Sequence, residues 1–279
     1  MKSPLDEPLR PTPYADVNLA LRDVLASVGA ILGDHLVGMY LYGSLALGDF
    51  DPRGSDIDAI VVTDAELSDS VFAALRDMHA RFDASGSPWA RKIEAAYIPR
   101  DALRPDDPTA ARYPQIEKGG ALVLDYLESG WVVQCYILRE HGVVVAGPSP
   151  HALVAPIDPR DMRRAAAVHA DVWAEQARHD PDWLAWVRRR DNQAFVVLTL
   201  CRMLYTLDTG TVASKPVATR WAGTALANRW AALIERALSG QHEGGDAPDA
   251  DVRDAIALVD YTVERSRQRH LPPPPARPR

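Results

Sequence analysis

Apolar residues recur at helical spacing from Asp16 to Leu32, where Val17, Leu21, Val24, Leu25, Val28, Ile31 and Leu32 form one face. Leu36 to Tyr42 is apolar and closes on Gly43, which predicts a strand. A second strand follows at Ile57 to Val62, a helix at Leu67 to Phe82 and a third strand at Ile93 to Ile98. Asp101 to Pro114 is rich in Pro, Asp and Arg and reads as a loop. Ala121 to Leu127 is a further strand candidate. Trp131 to His141 fits helix or strand, and Val143 to Ala146 is a short strand. The pattern changes near Gly147-Pro148-Ser149-Pro150. From Asp161 to Arg269 the spacing is helical throughout, interrupted at Gln241 to Asp249. Leu271 to Arg279 is dominated by proline and predicts an extended or disordered tail.

These elements predict an α+β chain. A small mixed sheet with flanking helices spans 1–157, an all-α bundle spans 158–270, and a proline-rich tail closes the chain at 271–279. A hydrophobic share of 47% and a charged share of 25% are ordinary for a globular protein, so no disulfide or structural metal is required. Cys135 and Cys201 stand far apart without metal-ligand spacing and read as reduced thiols. The amino-terminal stretch has no signal-peptide core, and no apolar run is long enough to span a bilayer, so a cytoplasmic protein without a membrane partner is expected. The net charge of −7 argues against a nucleic-acid partner, which would need surplus Lys and Arg. It fits plain solubility first and is compatible with a cationic small molecule. Oligomeric state is not legible.

The chemistry concentrates between Tyr42 and Asp58, in the run Gly43-Ser44, a polar stretch, and Ser55-Asp56-Ile57-Asp58. Gly43 lets the backbone turn sharply and approach a ligand closely. Ser44 places a hydroxyl beside backbone N–H groups at an expected helix start, where phosphate oxygens bind readily. Asp56 and Asp58 are two residues apart on a strand and therefore share a face, with Ile57 turned to the core. Two adjacent carboxylates repel each other and call for a cation, and Mg²⁺ suits carboxylate, phosphate and water oxygens. Asp-x-Asp alone is commonly a solvated strand end, and Gly-Ser alone a turn. It is their combination at fixed spacing that points to a site.

This segment resembles the signature of the polymerase-β-type nucleotidyltransferase superfamily. The wider chain is similar to the aminoglycoside adenylyltransferases that modify streptomycin and spectinomycin, and to their uncharacterised relatives. In the second half the resemblance rests on Pro181-Asp182-Trp183, on Val197 to Tyr205, and on Gly210 to Lys215. It implies a Mg²⁺-dependent transfer of AMP from ATP to a hydroxyl of a small molecule of that antibiotic class, with two metal ions and the nucleotide bound between the two domains. It implies a third acid, Glu94, as a metal ligand or general base. Glu94 is also a lone acid in an otherwise apolar strand. The resemblance further implies that Gly43, Ser44, Arg202 and Lys215 bind the nucleotide, and that an acidic residue near Asp191-Asn192 holds the acceptor. Ungapped spacing from Arg202 puts Asn192 at that place. No tryptophan occurs between residues 112 and 127, which departs from the streptomycin-modifying members. Two other readings stay open: an antitoxin-like enzyme that adenylylates a protein side chain or another metabolite, and a nucleotide-binding module without catalysis.

Overall fold

The computed structural model describes residues 10–103, 111–117, 119–127, 130–226 and 229–269. The proline-rich run at 271–279 lies outside them. The chain forms two compact units, Met1–Pro156 and Ile157–Arg279. No helix among the described residues is long and apolar enough to cross a membrane.

In the first unit the elements run α1 (Ala15–Leu32), β1 (Leu36–Leu41), α2 (Gly43–Leu47), β2 (Ile57–Thr63), α3 (Asp69–Asp83), β3 (Ile93–Pro99), β4 (Arg112–Ile116), β5 (Val123–Tyr126), α4 (Trp131–His141) and β6 (Val143–Ala146). The sheet order is β5-β4-β3-β2-β1-β6. Among the described residues only β2 and β3 pair in parallel; the other neighbours are antiparallel. Strand alternation sorts the side chains. Met39, Leu41, Ile57, Ala59, Val61, Ile93, Ala95 and Tyr97 pack in one buried cluster with Val17, Leu21, Val24 and Val28 of α1 and Leu75 and Met78 of α3. The intervening positions, Asp58 and Glu94 among them, therefore belong to the opposite face.

Two elements differ from the sequence pattern or resolve it. The expected loop from Asp101 to Pro114 runs into β4, and its residues 104–110 lie outside those described. Pro114 pairs with Leu124 of β5 and lies beyond the pairing of β4 with β3, which is confined to Gln115 and Ile116. Trp131–His141, ambiguous in sequence, is a helix: Trp131, Cys135 and Leu138 are buried at helical spacing.

The second unit holds α5 (Pro159–His179), α6 (Pro181–Val187), α7 (Arg190–Thr209), α8 (Lys215–Ala225), α9 (Ala231–Gly240) and α10 (Asp249–Gln268). Helix α7 is central and packs against the other five. Asp180 caps α6 by accepting from the N–H groups of Asp182 and Trp183. The α6–α7 corner is stapled to the loop before α10: Arg190 N–H donates to the Gly245 carbonyl at 2.9 Å and Ala247 N–H to the Arg188 carbonyl at 2.7 Å. Buried Asp251 of α10 adds ion pairs to Arg236 at 2.9 Å and Arg190 at 3.5 Å.

Behind β3, His79 of α3 is 4% exposed, and its Nε2 lies 2.7 Å from the Tyr97 hydroxyl. Burial disfavours the charged ring and lowers its pKa from 6.5 to about 4. Above pH 6.5 the ring is neutral in folded and unfolded chains alike and contributes no pH dependence. As pH falls from 6.5 towards 4, only the unfolded chain takes up the proton, so stability drops, by about 2 kcal/mol at pH 5. His79→Gln keeps a polar partner for Tyr97 but does not titrate. Urea unfolding at pH 7.5 and pH 5 is expected to show a smaller loss for this variant than for the wild type. Equal losses would remove His79 as the source.

Candidate active site

Strand β1 ends at Leu41, and after Tyr42 the chain turns into the five-residue helix α2. Gly43 makes the turn with φ of +60°, in the region that side chains disfavour. A Cβ here would lie 1.8 Å from Oδ2 of Asp58 and 2.6 Å from its Cγ. The Asp58 carboxylate thus rests on the bare Cα of Gly43, and both dihedral and space require glycine. Tyr42 N–H donates to the Asp58 carbonyl at 3.0 Å and holds the end of β1 against the start of β2. Ser44 lies in the first turn of α2, whose start no side chain caps. Its carbonyl accepts from Gly48 N–H at 3.0 Å and Asp49 N–H at 3.1 Å, which ends the helix. Gly48 stands in the left-handed region at the C-cap.

Asp58 pairs in register with Glu94 on the neighbouring parallel strand. Parallel neighbours lie about 4.8 Å apart and point to the same side, so the two carboxylates are adjacent. Both are partly exposed, in strands whose other residues are buried. Asp56 lies one residue before β2, half-buried, at the end of the loop from α2. Among the described residues no three acidic, His or Cys side chains converge as a ready-made metal cage. Mg²⁺ does not require one, because it keeps several waters and takes one or two carboxylates together with substrate phosphates. An all-oxygen donor set, with one carboxylate seated against a side-chain-free glycine, fits that ion.

The sequence pattern did not reveal what anchors the loop. Phe50 is buried, 4.8 Å from the Tyr14 ring and 5.8 Å from the Trp89 ring. The Tyr14 hydroxyl donates to the Phe50 carbonyl at 3.2 Å, and Trp89 Nε1–H to Asp16 at 3.0 Å. The signal was a lone aromatic in the polar run from Asp49 to Asp56.

In the second unit, α7 is buried except along one stripe that carries Asn192, Phe195, Thr199, Arg202 and Tyr205. Arg202 Nε–H donates to the Ala213 carbonyl at 3.2 Å, which draws it to the turn that leads into Lys215. Lys215 opens α8, and its Nζ lies 5.3 Å from the centre of the Phe195 ring. The structure therefore brings Arg202 and Lys215 to the same turn. Asp191 forms an ion pair with Arg189 at 3.4 Å, and the Asn192 side chain donates to the Trp186 carbonyl at 2.9 Å. Trp173 and Trp183 are in the helical core. Trp186 and Phe195 are open aromatics, 39% and 43% exposed and edge to face at 6.1 Å, a pair the sequence did not single out.

Residues 22–104 match the nucleotidyltransferase domain family, and residues 152–265 match the aminoglycoside adenylyltransferase C-terminal domain family. An aminoglycoside (3'') (9) adenylyltransferase of Escherichia coli is 28% identical over 257 residues, 87% of this chain and 93% of that protein. A spectinomycin 9-adenylyltransferase of Campylobacter jejuni is 24% identical over 250 residues, 86% and 92% of the respective chains. The fold matches the crystal structure of a spectinomycin adenyltransferase from Enterococcus faecialis, solved with ATP and spectinomycin. The TM-score is 0.68 at 19% identity, covering 89% of this chain and 98% of that one.

The seat of Asp58 on Gly43 can be tested directly. Gly43→Ala is expected to displace the carboxylate and to lower metal-dependent ATP binding by about a hundredfold, since a shift of one ångström has effects of that order. Calorimetric titration with Mg²⁺ and ATP checks this. An alanine variant that binds as the wild type does would show the contact to be incidental.

Proposed function

We propose that the chain is a nucleotidyltransferase of the aminoglycoside adenylyltransferase type, and that it transfers AMP from ATP to a hydroxyl of an aminoglycoside-type antibiotic of the streptomycin and spectinomycin class. The observation that carries the reading is the in-register pair Asp58 and Glu94 beside the bare Cα of Gly43. Relatives that act on these antibiotics, matched over most of their own length, support the choice of acceptor.

In this reading Asp56 and Asp58 would hold Mg²⁺, and Glu94 would serve as ligand to a second ion or as general base. When bound, the metal offsets the charge of the triphosphate and polarises its phosphoryl oxygens. Ser44 and the start of α2 would receive phosphate oxygens, and Arg202 and Lys215 are the cations that the second unit offers to a nucleotide. Glu94 accepts the proton of the acceptor hydroxyl. The hydroxyl oxygen forms a bond to the α-phosphorus in line with the bond to the β-phosphate oxygen, which breaks and releases pyrophosphate. Positioning and charge stabilisation supply most of the rate. A basic guanidino or amino group on the acceptor fits the net charge of −7.

The test is pyrophosphate release from ATP and Mg²⁺ against a panel containing streptomycin, spectinomycin and other aminoglycosides. Release is expected to depend on one of them and to fall about a thousandfold in Asp56→Asn. Mass spectrometry of the acceptor should show one added AMP. ATP and Mg²⁺ binding without release on any of these compounds would overturn the antibiotic assignment and move the acceptor to a protein side chain or another metabolite.

A further inference from the structure

The loop from Gly48 to Asp56 carries one carboxylate of the site, and many of its hydrogen bonds are internal. Asp51 N–H donates to Ser55 Oγ at 3.0 Å, and Ser55 N–H donates to the Asp51 carbonyl at 2.8 Å. Arg53 N–H donates to Asp51 Oδ1 at 3.0 Å, and its guanidinium pairs with the same carboxylate at 3.1 Å. These bonds give the loop its shape. They do not fix its position relative to the strand that carries Glu94.

Lys92 does. It lies in the turn that leads into β3, two residues before Glu94. Its Nζ donates to the Pro52 carbonyl at 3.1 Å and to the Arg53 carbonyl at 3.2 Å. The ammonium also lies 5.1 Å from the centre of the Trp89 ring. Trp89 is 4% exposed and held by Asp16 and Phe50, so the ring is a fixed platform. One cation thus bridges two consecutive carbonyls of the loop to the root of β3. A Lys side chain is well suited to such a bridge, because its compact head carries several donors and its flexible stem can lie along an aromatic face. Hydrogen bonds from a charged donor are stronger than neutral ones.

We propose that Lys92 is a positioning residue for nucleotidyl transfer: its clasp on Pro52 and Arg53 holds the loop that carries Asp56 against the turn that leads to Glu94. The proposal rests on the reading of Asp56 as a metal ligand. Outer partners that orient ligands alter metal affinity more than they alter the fold, and Lys92 touches neither the phosphates nor the acceptor in this scheme.

The experiment compares the full-length wild type with Lys92→Met, Lys92→Arg and Asp56→Asn. Mg²⁺ is titrated against a fixed ATP concentration, with ATP binding as the readout and melting temperature beside it. Lys92→Met keeps the stem over Trp89 and loses both hydrogen bonds. It is expected to raise the Mg²⁺ concentration for half-maximal ATP binding about tenfold while the melting temperature stays near that of the wild type. Lys92→Arg, which can still donate to both carbonyls, should recover most of the shift. A wild-type Mg²⁺ requirement in Lys92→Met overturns the proposal. So does a lowered melting temperature with a Mg²⁺ requirement that Lys92→Arg does not restore. Asp56→Asn separates the two levels: if it leaves the Mg²⁺ requirement unchanged, the metal reading of Asp56 fails and the proposal falls with it. If it raises the requirement or abolishes Mg²⁺-dependent ATP binding while Lys92→Met behaves as wild type, only the role of Lys92 fails.

Discussion

The parallel pairing of β2 with β3 is the constraint on which the first unit depends. Parallel strands cannot be joined by a tight turn, so the chain must leave the sheet and return. Helix α3 makes that return, and it needs an apolar face to do so, supplied by Leu75 and Met78. Once the pairing is fixed, the register puts Asp58 beside Glu94. A slip of one residue would turn one of the two carboxylates into the cluster under α1 and α3, where an unpaired charge is prohibitive. Core packing and site geometry therefore enforce the same register. The close fit of Gly43 follows from it: β1 is antiparallel to β2, so the end of β1 necessarily meets the start of β2, where Asp58 stands.

What was legible in the sequence followed from short-range pattern. The Gly43 to Asp58 segment showed its turn, its paired acids and its strand entry because each depends on neighbours a few residues away. Glu94 stood out because an acid in an apolar strand needs a reason. The pairing that sets it beside Asp58 was not readable, since register is a property of two distant segments. The loop anchors were hidden for the same reason: Tyr14, Phe50, Trp89 and Lys92 come from three separate stretches and none forms a motif. The first half of β4 carries turn chemistry in Pro114 and its polar neighbours, which points to a loop. The strand is made by its pairing with β5, which includes Pro114 opposite Leu124, and that pairing is not visible in the local pattern.

The helical unit shows a similar division. Its helices were legible because the apolar spacing that buries α7 on nearly all sides is local. The roles of individual polar residues were not. Arg202 and Lys215, far enough apart in sequence to be unrelated, are gathered by the turn at Ala213. Phe195 receives Lys215 over its ring and Trp186 at its edge, and neither contact follows from helical period.

The corner where α6 meets α7 limits how acceptor charge can act in the proposed reaction. Asp191 is engaged by Arg189, and the Asn192 amide is engaged by the Trp186 carbonyl. An amino group that approaches Asp191 must compete with a guanidinium already there. The pair is more than a third exposed on both sides, and such pairs contribute no more than about 1 kcal/mol, so displacement is cheap but the gain is equally small. Charge at this corner gives a cationic ring little that Arg189 does not already supply to Asp191. Trp186 is 39% exposed and offers a ring face of the kind on which the C–H faces of sugar and cyclitol rings pack, whereas the Phe195 ring already carries Lys215. If the acceptor of the proposed reaction meets this corner, shape against the Trp186 ring would therefore discriminate more than ion pairing to Asp191.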